Sequence, residues 1–129
     1  MKKILVVEDN KINMYLNCRI LRSSGYEVIE ARSGEEGVEL AIKEKPDLII
    51  MDIQLPGIDG LETTKRIRES EANGEIPIIA LTSYAMAGDR KKALKAGCTG
   101  YIEKPINPET FISEIKKFLE AKDEKNISS

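Results

Sequence analysis

Five residues of this chain have side chains suited to holding phosphate or a hard metal ion, and each stands at the end of a strand-like run. Glu8 and Asp9 follow Ile4-Leu5-Val6-Val7, Asp52 follows Leu48-Ile49-Ile50-Met51, and Thr82 follows Ile78-Ile79-Ala80-Leu81. Lys104 follows the weaker run Gly100-Tyr101-Ile102-Glu103. Two carboxylates about 4 Å apart repel by roughly 4 kcal/mol at an effective dielectric of 20. Glu8, Asp9 and Asp52 can therefore share a site only with a compensating cation. The chain contains no histidine, which excludes histidine-based nucleophilic triads and argues against zinc. Oxygen donors favour Mg²⁺, with Mn²⁺ as the alternative.

These residues meet only if the runs are neighbours in a sheet. Near-continuous apolar runs separated by helical segments point to strands buried on both faces of a parallel sheet, and parallel strands all finish at one edge. Open α/β sheets bind ligands in the crevice beyond that carboxyl edge. The intervening segments supply the helices. Asn10 is a helix cap, and the first helix is expected to run to about Ser24 with Gly25 as its stop. Leu16, Ile20 and Leu21 are expected on one face of it with Asn13 and Asn17. Val28-Ile29 predicts a short second strand. Ser33 and Glu36 form a capping box for a second helix that turns Val38, Ala41 and Ile42 inward and ends at Pro46.

Pro56-Gly57 and Asp59-Gly60 predict tight turns before a third helix from about Leu61 to Glu71. A fourth helix carries Arg90, Lys91, Lys92 and Lys95, expected as a solvated face. The last helix begins at Asn107, Pro108 and Glu109 and is expected to bury Phe111, Ile112, Ile115, Phe118 and Leu119. Five strands alternating with five helices make an α/β doubly wound fold.

A length of 129 residues fits one domain, expected over residues 1–121 with a polar tail at 122–129, and nothing remains for an effector domain. The 20 basic and 22 acidic residues are scattered and leave a net charge of -2, which argues against nucleic acid as a direct partner. No apolar stretch suits a signal peptide or a membrane span, so the expected location is the cytoplasm. Cys18 and Cys98 form no CxxC pair and are expected to be buried small hydrophobes.

The segments Val7-Glu8-Asp9-Asn10, Met51-Asp52 with Pro56-Gly57-Ile58-Asp59-Gly60, Ala80-Leu81-Thr82-Ser83 and Tyr101-Ile102-Glu103-Lys104-Pro105 resemble, in this order and spacing, the receiver domain of bacterial two-component response regulators. The resemblance runs from Lys3 to about Leu119. Asn13, Ile53-Gln54-Leu55-Pro56 and Ala85-Met86-Ala87-Gly88-Asp89 are most similar to free-standing cell-fate regulators and to receivers within hybrid kinases. The family's fold is a flavodoxin-like three-layer sandwich with strand order 2-1-3-4-5.

The resemblance implies that Asp52 is the phosphoacceptor, taking a phosphoryl group from a phosphohistidine of a histidine kinase or a histidine phosphotransfer protein. It implies Asp9, Asp52 and the backbone carbonyl of Gln54 as direct Mg²⁺ ligands, with Glu8 acting through water. Lys104 and Thr82, with Ser83 beside it, would hold the phosphoryl oxygens. Tyr101 would turn inward as Thr82 moves and so remodel the face of the fourth helix, fifth strand and fifth helix, where an unidentified downstream protein would dock. Pro105 would follow a cis peptide, and Gln54 and Tyr84 would tune hydrolysis of the acyl phosphate. Ser83 stands where many relatives carry alanine. The chain would be a monomer that can pair on activation, and it would not turn over an external substrate.

Taken singly, the same residues have plainer readings: a solvated turn at Glu8-Asp9, a cap at Asp52, a strand end at Thr82, a snorkelling Lys104 and a half-buried Tyr101. Competing functions fit less well. A hydrolase of the haloacid dehalogenase type needs an acid two residues after its nucleophile, where this chain has Gln54. A flavodoxin-like electron carrier needs a small polar phosphate loop after the first strand, where Glu8-Asp9-Asn10-Lys11 repels phosphate. A receiver scaffold that acts only as an adaptor would carry fewer of the expected site residues.

Overall fold

The computed structural model describes residues 1–70, 76–82 and 88–128, with side chains described as far as residue 121. Strands β1 (Lys3–Val7), β2 (Glu27–Ala31), β3 (Leu48–Asp52), β4 (Ile78–Thr82) and β5 (Gly100–Glu103) alternate with helices α1 (Lys11–Ser23), α2 (Gly34–Glu44), α3 (Gly60–Ser70), α4 (Asp89–Ala96) and α5 (Pro108–Ser128). The strands form one sheet in the order β2-β1-β3-β4-β5, with every pairing parallel. This is the expected doubly wound topology.

Side chains of a strand alternate between its two faces, and both faces here are buried. Ile4, Val6, Leu48, Ile50, Ile79 and Leu81 pack with Met14, Leu21, Phe111 and Ile115 of α1 and α5. Leu5, Val7, Ile49, Met51, Ile78 and Ala80 pack with Ala41, Ile67 and Ala93 of α2, α3 and α4. Three layers thus share two cores, which is why the central strands are apolar throughout rather than alternating.

The caps form as expected: Asn10 accepts from the Asn13 N–H at 3.0 Å, Ser33 from Glu36 N–H at 3.2 Å, and Asn107 from Glu109 N–H at 3.0 Å. Two helix faces differ from expectation. Met14, Asn17, Cys18 and Leu21 are the buried side of α1, whereas Ile12, Tyr15 and Leu16 are exposed. On α2 the inward residues are Gly34, Gly37 and Ala41, and Ile42 faces out at 52% exposure. β2 extends beyond Val28-Ile29 at both ends, because an edge strand is less covered than the central ones and tolerates Glu27 and Glu30 on its two faces. The backbone of α5 stays helical to Ser128, through the stretch expected to be a frayed tail. Both cysteines are buried and free, and burial pushes the Cys18 thiol up to about 11. Among the described residues no helix is long and apolar enough to cross a membrane.

Candidate functional site

The chain runs outward from β1 to β2, then returns past β1 to β3, so β1 and β3 lie side by side at the point where the winding reverses. Ligand crevices of open α/β sheets form at that point. Glu8 continues straight out of β1, its N–H donating to the Ala31 carbonyl at 2.9 Å, and Asp52 is the last residue of β3. Both carboxylates are buried, at 1% and 4% exposure, while Asp9 is exposed. One carboxylate oxygen of each of Glu8, Asp9 and Asp52 lies within 4.8 Å of the others. A compact set of hard oxygen donors fits Mg²⁺, which keeps several waters and uses few carboxylates.

Lys104 arrives from the far side of the fold. Its Nζ lies 3.2 Å from Glu8 Oε1 and 3.7 Å from Asp52 Oδ2, and the Lys104–Pro105 peptide is cis, as expected. The Lys104 N–H donates to the Thr82 carbonyl at 2.7 Å, which ties the end of β5 to the end of β4. Burial, together with the hydrogen bond to Asp52 and its charge, raises Glu8 from its usual 4.5 to about 7, with Lys104 pulling the other way. The two inner carboxylates and the ammonium form one electrostatic unit.

Thr82 is buried at the end of β4. Tyr101 sits on the adjacent strand, half-buried; partial burial, Asp89 and Glu103 raise its phenol, while a hydrogen bond with the Thr82 side chain and the charge of Arg90 lower it. Tyr101 is paired with Ala80, two residues before Thr82, so Thr82 and Tyr101 lie diagonally on the same face of neighbouring strands. Gln54 exposes its side chain, and its N–H donates to Asp52 Oδ1 at 3.0 Å. Ser83 and Tyr84 lie outside the described residues.

Gly60 is a part of the site that the sequence disguised as half of an ordinary Asp-Gly turn. Its N–H donates to the Ile53 carbonyl at 3.0 Å, and a Cβ there would collide with the Asp52 carbonyl oxygen and approach Ile53 Cα to 2.6 Å. The neighbour is backbone, which cannot rotate away, so the missing side chain lets α3 seat the loop against the end of β3. Gly60→Ala is expected to lose about 1–3 kcal/mol through overpacking, read as a lower urea midpoint, and to displace Asp52.

A family model described as response regulator receiver domain matches residues 4–116. Proteins described as polar-differentiation response regulator DivK, from Brucella ovis and Brucella anthropi, are 48% and 46% identical over 118 residues, 92% of this chain and 96% of each of theirs. A CheY-like receiver domain protein from Methanospirillum hungatei superposes with a TM-score of 0.90 at 30% identity, covering 97% of this chain and 98% of that one. The receiver domain of the sensor histidine kinase PA1611 from Pseudomonas aeruginosa, solved with a magnesium ion coordinated in its active-site cleft, superposes with a TM-score of 0.85 at 37% identity, covering 92% and 97%. With a family model matching residues 4–116 and relatives at 46–48% identity over nearly their whole length, the chain belongs to the response regulator receiver domain family of two-component signalling.

Proposed function

We propose that Asp52 is the phosphoacceptor and that its acyl phosphate resets the surface around β5. The observation that carries the assignment is the Asp52 carboxylate itself, buried at the carboxyl edge with one oxygen held by the Gln54 N–H at 3.0 Å and the other 3.7 Å from Lys104 Nζ. A carboxylate oxygen of Asp52 attacks the phosphorus of a partner's phosphohistidine; the O–P bond forms, the P–N bond breaks, and the imidazole nitrogen keeps the electron pair and takes up a proton. Gln54 and Lys104 orient the nucleophile, and burial keeps bulk water from it. Hydrolysis later returns free phosphate, with Gln54 and Tyr84 limiting access of water.

Asp9, Asp52 and the Gln54 carbonyl would hold Mg²⁺ directly, with Glu8 acting through water. When bound, the ion supplies positive charge that offsets the clustered carboxylates and the incoming phosphoryl oxygens. Lys104 and Thr82, with Ser83, bond the phosphoryl group, whose charge of roughly -1.5 to -2 makes those bonds strong. Thr82 and Tyr101 are diagonal neighbours on one face of β4 and β5, so recruiting Thr82 changes what lies beside the aromatic ring and lets it change position. The readout is a protein docking on the α4, β5 and α5 face. The phosphodonor is a histidine kinase or phosphotransfer protein, and the location is the cytoplasm. Residues 1–121 suffice for this activity, and 122–129 are dispensable.

Intact mass after incubation with acetyl phosphate and Mg²⁺ tests the reading. One phosphoryl adduct that a chelator prevents is the expected result. No adduct, together with no binding of beryllofluoride in the presence of Mg²⁺, would establish a silent adaptor instead.

A further inference from the structure

We propose that the cleft between α1 and the edge strand β2 binds a small anionic ligand of the nucleotide class, a flat ring carrying phosphate. The inference does not depend on phosphoryl chemistry at Asp52, and none of that site's residues lines the cleft. Its volume is about 830 Å³, inside the roughly 300–1,000 Å³ typical of small-molecule sites.

Charge is the first argument. Lys11, Arg19, Arg22 and Arg32 line the cleft and Glu30 is its single carboxylate, although the chain as a whole carries a net charge of -2. Glu30 spends both oxygens on two of the cations, Oε2 on Arg22 at 3.2 Å and Oε1 on Arg32 at 3.1 Å. It therefore occupies two guanidinium forks without neutralising the group. Among the described residues no ion pair engages Lys11 or Arg19. Four cations gathered in a concavity repel one another and attract counter-charge, and guanidinium forks match phosphate oxygens.

Shape is the second argument. The Tyr15 ring is 60% exposed, and its hydroxyl accepts from Arg19 Nη1 at 3.4 Å. An exposed ring beside a guanidinium makes a stacking platform, and Met14 and Cys18 give the cleft an apolar floor. Inorganic phosphate uses only the cations and a hydrophobic ligand only the floor. A ligand with both a ring and phosphate uses each. The cleft escaped notice in the sequence because its cations come from α1 and from Arg32 just beyond β2, and none forms a run.

Titration of the ¹⁵N-labelled full chain with ADP in EDTA, followed by NMR and calorimetry, tests this. The expected shifts map to α1 and β2. Arg19→Ala should weaken binding about five-fold, and pyrophosphate and adenosine should each bind about ten-fold more weakly than ADP. Glu30→Gln removes the competing carboxylate and releases Arg22 and Arg32, so it should tighten binding about three-fold. Arg19 is exposed and Glu30 is partly buried, and circular dichroism checks the fold of both variants. The proposal is overturned if ADP does not bind, if its shifts centre on Asp9 and Lys104, if Glu30→Gln leaves affinity unchanged or lowers it, or if pyrophosphate matches ADP.

Discussion

Asp52→Asn will take up no phosphoryl group from acetyl phosphate and Mg²⁺, and without Mg²⁺ it will be more stable than the wild type. The first outcome follows from chemistry, since an amide oxygen is a poor nucleophile toward phosphorus. The second follows from the geometry around it. An asparagine fills the same space, its oxygen still accepts the Gln54 N–H, and its NH₂ replaces the Oδ2 that lies 3.7 Å from Lys104, trading that attraction for a neutral neighbour beside Glu8. The repulsion removed is at most about 4 kcal/mol, and Lys104 already offsets much of it. The net gain is expected to be about 1 kcal/mol, or roughly 4 °C in melting temperature. Intact mass and thermal unfolding in EDTA check both halves. A full adduct on another residue would remove Asp52 from the mechanism, and a lower melting temperature would mean that the carboxylate pair does not strain the apo fold.

Lys104→Ala should act in the opposite direction and depend on pH. Removing one partner of a buried ion pair costs about 3–5 kcal/mol, but the Lys104 side chain is 15% exposed and solvent relieves part of that, so about 2 kcal/mol is expected near pH 8. Glu8 is held up to about 7, against its usual 4.5. A carboxyl whose folded pKa is raised favours the fold at low pH, and that contribution is lost as pH rises through the folded value. Lys104 lowers Glu8, so its removal raises Glu8 further and leaves it protonated over a wider range. Near pH 5.5 the uncompensated charge on Glu8 is therefore largely absent and the lost attraction to Asp52 remains, so the deficit should shrink to about 1 kcal/mol. Urea unfolding in EDTA at the two pH values measures it. An equal loss at both would mean that Lys104 acts through packing of its alkyl chain rather than through charge.

The sheet was legible because β1, β3 and β4 are apolar on both faces, a pattern with few alternatives to a buried parallel strand. The site was legible for the same reason: once the strands are parallel, their last residues must converge. Facing was harder. α1 carries apolar residues on more than one face, so a stripe through Leu16, Ile20 and Leu21 and a stripe through Met14, Cys18 and Leu21 satisfy helical periodicity about equally, and only docking on the sheet selects the second. β2 was underestimated because an edge strand mixes Glu27 and Glu30 into its apolar pattern. Gly60 was invisible as a site residue because its importance lies in what its absent side chain would strike. The Glu8–Lys104 contact joins positions 96 residues apart, beyond the reach of any local pattern.

That long-range contact has a consequence for biosynthesis. β5 is the last of the five strands in chain order and sits at one end of the sheet, so until it emerges from the ribosomal exit tunnel the nascent chain carries Glu8 and Asp52 without their ammonium partner. A receiver interrupted at that stage, or truncated before Lys104, has the acidic residues of the site but lacks the lysine of the electrostatic unit. Loss of phosphoryl uptake in chains shortened before Lys104 would thus show that the site waits for β5.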